Sequence, residues 1–182
     1  MKSGLQYAVL GGGCFWCVEA VFENLKGVQD AESGYAGGDA VSARYDKVAS
    51  GSTAHVEVAK IAFDPKVISY EDLLRVFFHT HDPTTVNRQG NDHGPQYRSV
   101  IFYGDETQKA SAQKIKEEID KSGLWSAPLV TSIEPLKEFY RAEDYHQDYF
   151  QLNPSKPYCE LVIAPKLKKL KKDFADKLKE PA

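Results

Sequence analysis

Three consecutive glycines followed by Cys-Phe-Trp-Cys, residues 11–17, constrain this chain more than any other segment. Glycine has no Cβ, so such a run lets the backbone turn sharply and approach other groups closely. The short run Tyr7–Leu10 before it reads as a strand. After it, residues 18–25 carry Val18, Val21, Phe22 and Leu25 at helical spacing, and Lys26-Gly27 supplies a stop. A helix over Cys14–Leu25 places Cys14 at its N-terminus. There the free N–H groups and the positive end of the dipole favour thiolate over thiol. A thiolate beside Phe15 and Trp16 reads as a nucleophile next to an apolar pocket.

Strand and helix patterns alternate along the rest of the chain. Val28–Tyr35, His55–Phe63, Ser99–Tyr103, Leu129–Ile133 and Glu160–Ile163 read as strands. A helix begins at Ser69, with Asp72 completing a cap, and runs to about His79. Glu106–Ser122 is an amphipathic helix closed by Gly123, and Glu143–Gln151 reads as a short helix. The last helix, 166–179, puts Leu167, Leu170, Phe174 and Leu178 on one face. Residues 38–53, with Tyr45, and 80–97 read as loops, and a loop as long as the second is functional or disordered as a rule. With no dinucleotide fingerprint, this order implies a single α+β domain over 1–182. It is expected to be a two-layer sandwich of one mixed or antiparallel sheet with packed helices and a ferredoxin-like plait core. The core would span about 7–165, followed by the C-terminal amphipathic helix.

A net charge of −3 shows no basic surplus, so the lysines of 166–172 read as the solvated face of the last helix, not as a nucleic-acid or membrane surface. Three cysteines, an odd count, cannot make a full disulfide framework and suit a reducing compartment. Lys2 with Tyr7–Leu10 and Gly-Gly-Gly-Cys14 is faintly like a lipoprotein signal, but the apolar stretch falls short of the roughly 7–15 residues such a signal uses. No run reaches the roughly 20 apolar residues of a membrane helix. The expectation is a cytoplasmic protein.

Several residues carry chemistry, each beside a plainer reading. Cys14 and Cys17 can be small buried hydrophobes, but the preceding glycines and helix start favour reactive thiols. A zinc site needs about four recognisably spaced ligands, which this chain lacks. Glu57 shares parity with Ala59, Ile61 and Phe63 in its strand, so its carboxyl can finish an apolar face and keep its proton as a general acid. Val56 and Val58 are apolar too, which leaves the buried face open. The segment 87–98 is dense in hydrogen-bonding groups, and Cys159 shares parity with Leu161 and Ile163, the pattern of a buried strand cysteine.

The chain closely resembles the A-type peptide methionine sulfoxide reductases. The likeness runs in collinear order over about residues 7–165: Gly13-Cys14-Phe15-Trp16, Gly34–Gly38, Ser50–Glu57, His81-Asp82-Pro83, Arg88–Asp92, Gln96–Ser99, Ala142–Gln147 and Asn153-Pro154. The resemblance implies that Cys14 attacks the sulfoxide sulfur while Phe15 and Trp16 hold the S-methyl group. It implies that Glu57 protonates the oxygen, that Tyr45 and Tyr97 donate hydrogen bonds to it, and that Asp92 is a further polar member of the site. The product is methionine, specifically from the S epimer in proteins and peptides. Cys14 is left as a sulfenic acid, a second thiol condenses with it, and thioredoxin, or dithiothreitol in vitro, reduces the disulfide. No metal or organic cofactor is implied.

Two positions depart from the family's commonest pattern. Cys17 stands where a glycine is usual, and Ala54 replaces another glycine. The family often resolves with a C-terminal cysteine, and Cys159 occupies such a Tyr-Cys position. A helical i, i+3 pair is also within reach of a disulfide, so Cys17 and Cys159 both stand as resolving candidates, with Cys17 preferred. The rival readings are a thioredoxin-like disulfide oxidoreductase, from the Cys-x-x-Cys alone, and a redox-responsive binding module.

Overall fold

The structure, a computed structural model, describes residues 4–181, so Lys2 of the signal-like likeness lies outside the described residues. The glycine run joins strand β1 (Gln6–Gly11) to helix α1 (Phe15–Glu23). There follow β2 (Val28–Ala36), α2 (Tyr45–Ala49), β3 (Val56–Phe63), α3 (Tyr70–Thr80), β4 (Arg88–Gln89), β5 (Asp92–His93), β6 (Val100–Tyr103) and α4 (Glu106–Ser122). The chain continues through β7 (Ser132–Pro135), β8 (Phe139–Arg141), α5 (Tyr149–Leu152) and α6 (Ala164–Asp173). Six strands form one sheet in the order β7-β6-β1-β3-β2-β8, while β4 and β5 make a separate hairpin. Every pairing is antiparallel except β6 with β7, so the sheet is mixed and the α+β class holds.

β3 is buried on both faces, which is why its sequence alternation leaves the core side open. Ala59, Ile61 and Phe63 pack with Leu10, with Val18 and Phe22 of α1, and with Leu73 and Phe77 of α3. Val56 and Val58 pack with Val9, Val100, Phe102 and Phe139 on the other side. Glu57 has the parity of the helix-covered face and lies opposite Tyr35 of β2. The caps read from sequence are in place. Ser69 Oγ accepts the Asp72 N–H at 3.0 Å, and Gly123 takes φ +77° at the end of α4. The structure adds a cap at the start of α4, where an Asp105 carboxylate oxygen accepts the Gln108 N–H at 2.8 Å.

The structure corrects several expectations. Residues 38–53, read as a loop, hold α2, which starts at Tyr45, and 80–97 hold the β4–β5 hairpin and a 3₁₀ turn, Pro95–Tyr97. Glu160–Ile163 is no strand: Cys159–Ile163 is a π-helical turn running into α6. Cys159 and Ile163 are buried while Leu161 is 77% exposed, a helical four-residue spacing and not a two-residue one. Glu143–Gln151 is no single helix, because Asp148 at φ +53° separates a 3₁₀ turn, Asp144–His146, from α5. The strand expected at Leu129–Ile133 begins at Ser132. The last helix starts at Ala164 and ends at Asp173, after which a 3₁₀ turn, Ala175–Lys177, leads to Leu178 bridging Leu25. Among the described residues no helix is long and apolar enough to cross a membrane.

Candidate active site

Gly13 adopts φ +96°, where side chains are strained, and a Cβ there would stand 2.6 Å from Gln89 Cγ. This turn delivers Cys14 as the N-cap of α1, so the helix proper starts one residue later than the sequence pattern suggests. A helix N-terminus has free N–H groups. One of them, Phe15 N–H, donates to Glu57 Oε1 at 3.1 Å, so a carboxyl from the centre of the sheet caps the helix that bears the thiols. Glu57 is 2% exposed. Burial above all, with the nearby Asp92 and against the Phe15 bond, pushes its pKa up to about 8, so it holds a proton at neutral pH.

Cys14 and Cys17 lie one helical turn apart, their side chains in hydrogen-bond contact. Burial raises the Cys14 thiol well above its ordinary range, helped by the Cys17 contact and by Glu57, and the Trp16 N–H opposes this without overcoming it. The expectation that the helix terminus makes Cys14 a resting thiolate is therefore corrected: desolvation outweighs the dipole. The Cys14 contact lowers Cys17 against burial, with help from Lys166 and Tyr158. Cys17 Sγ is 3.6 Å from Tyr158 Oη, and that hydroxyl donates to Asp92 Oδ2 at 2.7 Å. Cys159, fully buried, belongs to the same apolar cluster as Cys14 and Cys17, and burial raises its thiol.

Aromatic rings wall the thiol pair. Trp16 stacks on Tyr149 at 3.6 Å and 4°, donates from Nε1 to His146 Nδ1 at 3.1 Å, and meets Tyr158 edge-on at 5.8 Å. Phe15 is buried beneath, 5.0 Å from the His146 ring and 5.7 Å from Tyr35. Tyr45 covers His146 at 4.6 Å, and its N–H donates to Glu143 Oε2 while Tyr35 Oη donates to Glu143 Oε1. Burial first, then the negative charges possible at Glu57 and Cys14, hold the Tyr45 and Tyr97 phenols protonated. Asp92 sits on β5, whose hairpin is anchored by Gln89: its amide accepts the Asp82 N–H and donates to the Asp82 carbonyl, both at 2.9 Å. Buried His81, pushed down to about 3 by desolvation, packs under Gly12 and bonds Ser99, a supporting role for that motif.

All the residues singled out in the sequence thus come together: Cys14, Phe15, Trp16, Cys17, Tyr45, Glu57, Asp92, Tyr97 and Cys159. His146, Tyr149, Tyr158 and Glu143 join them with no role foreseen. The segments holding His146 and Glu143 stood out in the motif Ala142–Gln147, and Tyr158 stood beside Cys159, but one sequence does not say what they touch. Among the described residues the one cluster with metal-ligand spacing is Glu19, Glu23 and Asp148, where Glu19 already accepts bonds from Ser33 Oγ and Asp148 N–H.

The profile of the family described as peptide methionine sulfoxide reductase matches residues 6–178. The chain belongs to this family. It is 54% identical to the peptide methionine sulfoxide reductase MsrA of Psychrobacter cryohalolentis, over 94% of this chain and 97% of that protein. Reduced Mxr1 from Saccharomyces cerevisiae has a similar crystal structure, with a TM-score of 0.80 at 36% identity over 87% of this chain and 91% of Mxr1. Mxr1 in complex with Trx2 matches with a TM-score of 0.56 at 28% identity, over 80% of this chain and 86% of that one. The family match reaches past α6 to Leu178.

Proposed function

We propose that this protein reduces methionine (S)-sulfoxide in proteins and peptides, and as the free amino acid, to methionine, repairing oxidative damage. The observation that carries the reading is the buried Glu57 carboxyl bonded to the first amide of the helix that bears Cys14 and Cys17; burial raises its pKa, so it holds a proton to give. A sulfoxide oxygen placed there takes the Glu57 proton as the Cys14 sulfur attacks, with Tyr45 and Tyr97 donating hydrogen bonds as charge develops on it. Phe15 and Trp16 hold the S-methyl group by apolar contact, and Asp92 with Tyr158 completes the polar rim. Over this half-reaction the sulfoxide sulfur gains two electrons and Cys14 becomes a sulfenic acid, its thiol proton restoring Glu57. Neutral Cys14 and neutral Glu57 together avoid two like charges in a dry site.

Cys17 then attacks the sulfenic sulfur and water leaves, forming the Cys14–Cys17 disulfide. The single turn between them and their mutual contact favour Cys17 over Cys159. Both electrons come from thiols, so the cycle uses no resident metal or organic cofactor. The existence of an Mxr1–Trx2 complex supports thioredoxin as the reductant, with dithiothreitol as its substitute in vitro. Thiol chemistry of this kind suits a reducing cytoplasm. The order β6-β1-β3-β2, connected through α1 and α3, supports a ferredoxin-like plait as the frame of a single domain.

Incubation with a methionine-sulfoxide peptide and dithiothreitol tests the reading. Methionine is expected from the S epimer, and none from Cys14→Ser. Reduction of insulin disulfides without methionine formation would return the chain to the disulfide oxidoreductases.

A further inference from the structure

A groove of about 570 Å³ opens onto the thiol pair between the Gln89–Asp92 hairpin and the helical turn carrying Tyr158, Leu161 and Lys166. Cys14 and Cys17 both line it, whereas Phe15, Trp16, Tyr45, Glu57 and Tyr97 do not. Tyr158 separates the two regions. Its hydroxyl bonds Asp92 of the hairpin and touches Cys17, and its ring meets Trp16 edge-on. A sulfoxide lying in this groove would meet the polar rim of Asp92 and Tyr158, but neither Glu57 to protonate it nor Tyr45 and Tyr97 to polarise it. A thiol lying there would reach the sulfurs directly.

We propose that this groove is the docking site of reduced thioredoxin, a second approach to the thiol pair separate from the sulfoxide's. The inference rests on the reductase reading with Cys17 as resolving thiol. The rim matches that occupant. Leu161 offers an exposed apolar side chain for the protein surface around a dithiol. Lys166 supplies a positive charge to draw in a thiolate. The space admits a loop of a few residues, enough to bring one sulfur to the floor.

In the exchange, a thioredoxin thiolate attacks Cys17 Sγ; the Cys14–Cys17 bond breaks and Cys14 leaves with its electron pair. The second thioredoxin thiol, deprotonated, attacks the thioredoxin sulfur of the mixed disulfide. Cys17 then leaves as thiolate, and thioredoxin departs oxidised by two electrons. A sulfoxide-bearing chain and a thioredoxin need not compete for one mouth.

Leu161→Glu and Leu161→Lys, which put a charge of either sign on the apolar rim, test this in the full chain against two reductants. Each variant is expected to lose about tenfold in kcat/KM for thioredoxin, while dithiothreitol-supported reduction of the sulfoxide peptide stays within about twofold of the unaltered protein. Unchanged thioredoxin kinetics in both variants would overturn the proposal. So would a parallel fall with both reductants at unchanged circular dichroism, which would give the groove to the substrate polypeptide. The reductase reading fails by a different result: no methionine from the unaltered protein with dithiothreitol.

Discussion

A carboxyl keeps its proton at neutral pH when water is excluded and no cation compensates its charge, and Glu57 meets both conditions. With its pKa raised from 4.5 to about 8, the acid form predominates below that pH and is lost above it. The rate of the sulfoxide half-reaction is therefore expected to fall as pH rises through about 8, read from single-turnover methionine formation across pH 6–10. Glu57→Gln keeps an acceptor for Phe15 N–H but has no such proton, so it should slow that step about 10²–10³-fold and remove the alkaline limb. Survival of the limb in Glu57→Gln would move the acid elsewhere. Cys17→Ser should yield one methionine per enzyme and then stop under thioredoxin; if Cys159→Ser stops there instead, Cys159 resolves. Glu57 and the thiols were legible in the sequence because their chemistry depends on residue type and near neighbours. The protonation state of Cys14 was not, since spacing reveals the helix dipole but not the depth of burial that overrides it.

Elements take their positions here from side chains that reach between them. Glu19, two residues after Cys17 on α1, accepts from Ser33 Oγ of β2 and from the N–H of Asp148. Asp148 holds φ +53°, a conformation uncommon outside glycine, and the next residue, Tyr149, stacks on Trp16. One buried carboxyl thus braces the helix, the sheet and the aromatic wall. Glu19→Ala leaves a hydroxyl and an amide without their partner and is expected to cost about 1–3 kcal/mol in urea unfolding. Because Tyr149 loosens with Asp148, KM for the sulfoxide peptide should rise while kcat with dithiothreitol changes little; a lower kcat at unchanged KM would contradict that route. Legibility at this scale followed length. α3 and α4 declare themselves through their caps, but β8 and α2 are three and five residues held by tertiary bonds such as Ala142 N–H to the Ser33 carbonyl. In Cys159–Ile163 five residues fit both periods, and packing chose the helical one.

Across the whole molecule, the site exists because β3 lies between β1 and β2, which brings Glu57 beside the glycine run that ends β1. Alternating strands and helices pointed to the α+β class, but the strand order follows from pairings between residues some fifty positions apart, such as Leu10 with Ala59, which no local pattern encodes. The chain closes in a comparable way over the far end of α1. Leu178 bridges Leu25, which is fully buried; Lys26 N–H donates to the Lys177 carbonyl and Lys179 N–H to the Asn24 carbonyl, each at 2.8 Å. Phe174 packs against the same core and meets His79 edge-on at 5.0 Å. A chain ending at Asp173 gives up these two partly buried side chains and both backbone bonds, about 2–3 kcal/mol together. For a protein of this size that corresponds to a fall of about 5–10 °C in Tm. The thiol pair, Glu57 and the aromatic wall lie at the other end of α1, so dithiothreitol-supported turnover at 25 °C should persist in the shortened chain. A Tm equal to that of the full chain would mean that residues 174–181 merely lie on α1, and a loss of turnover below the melting range would mean that the clasp reaches the thiols through the helix.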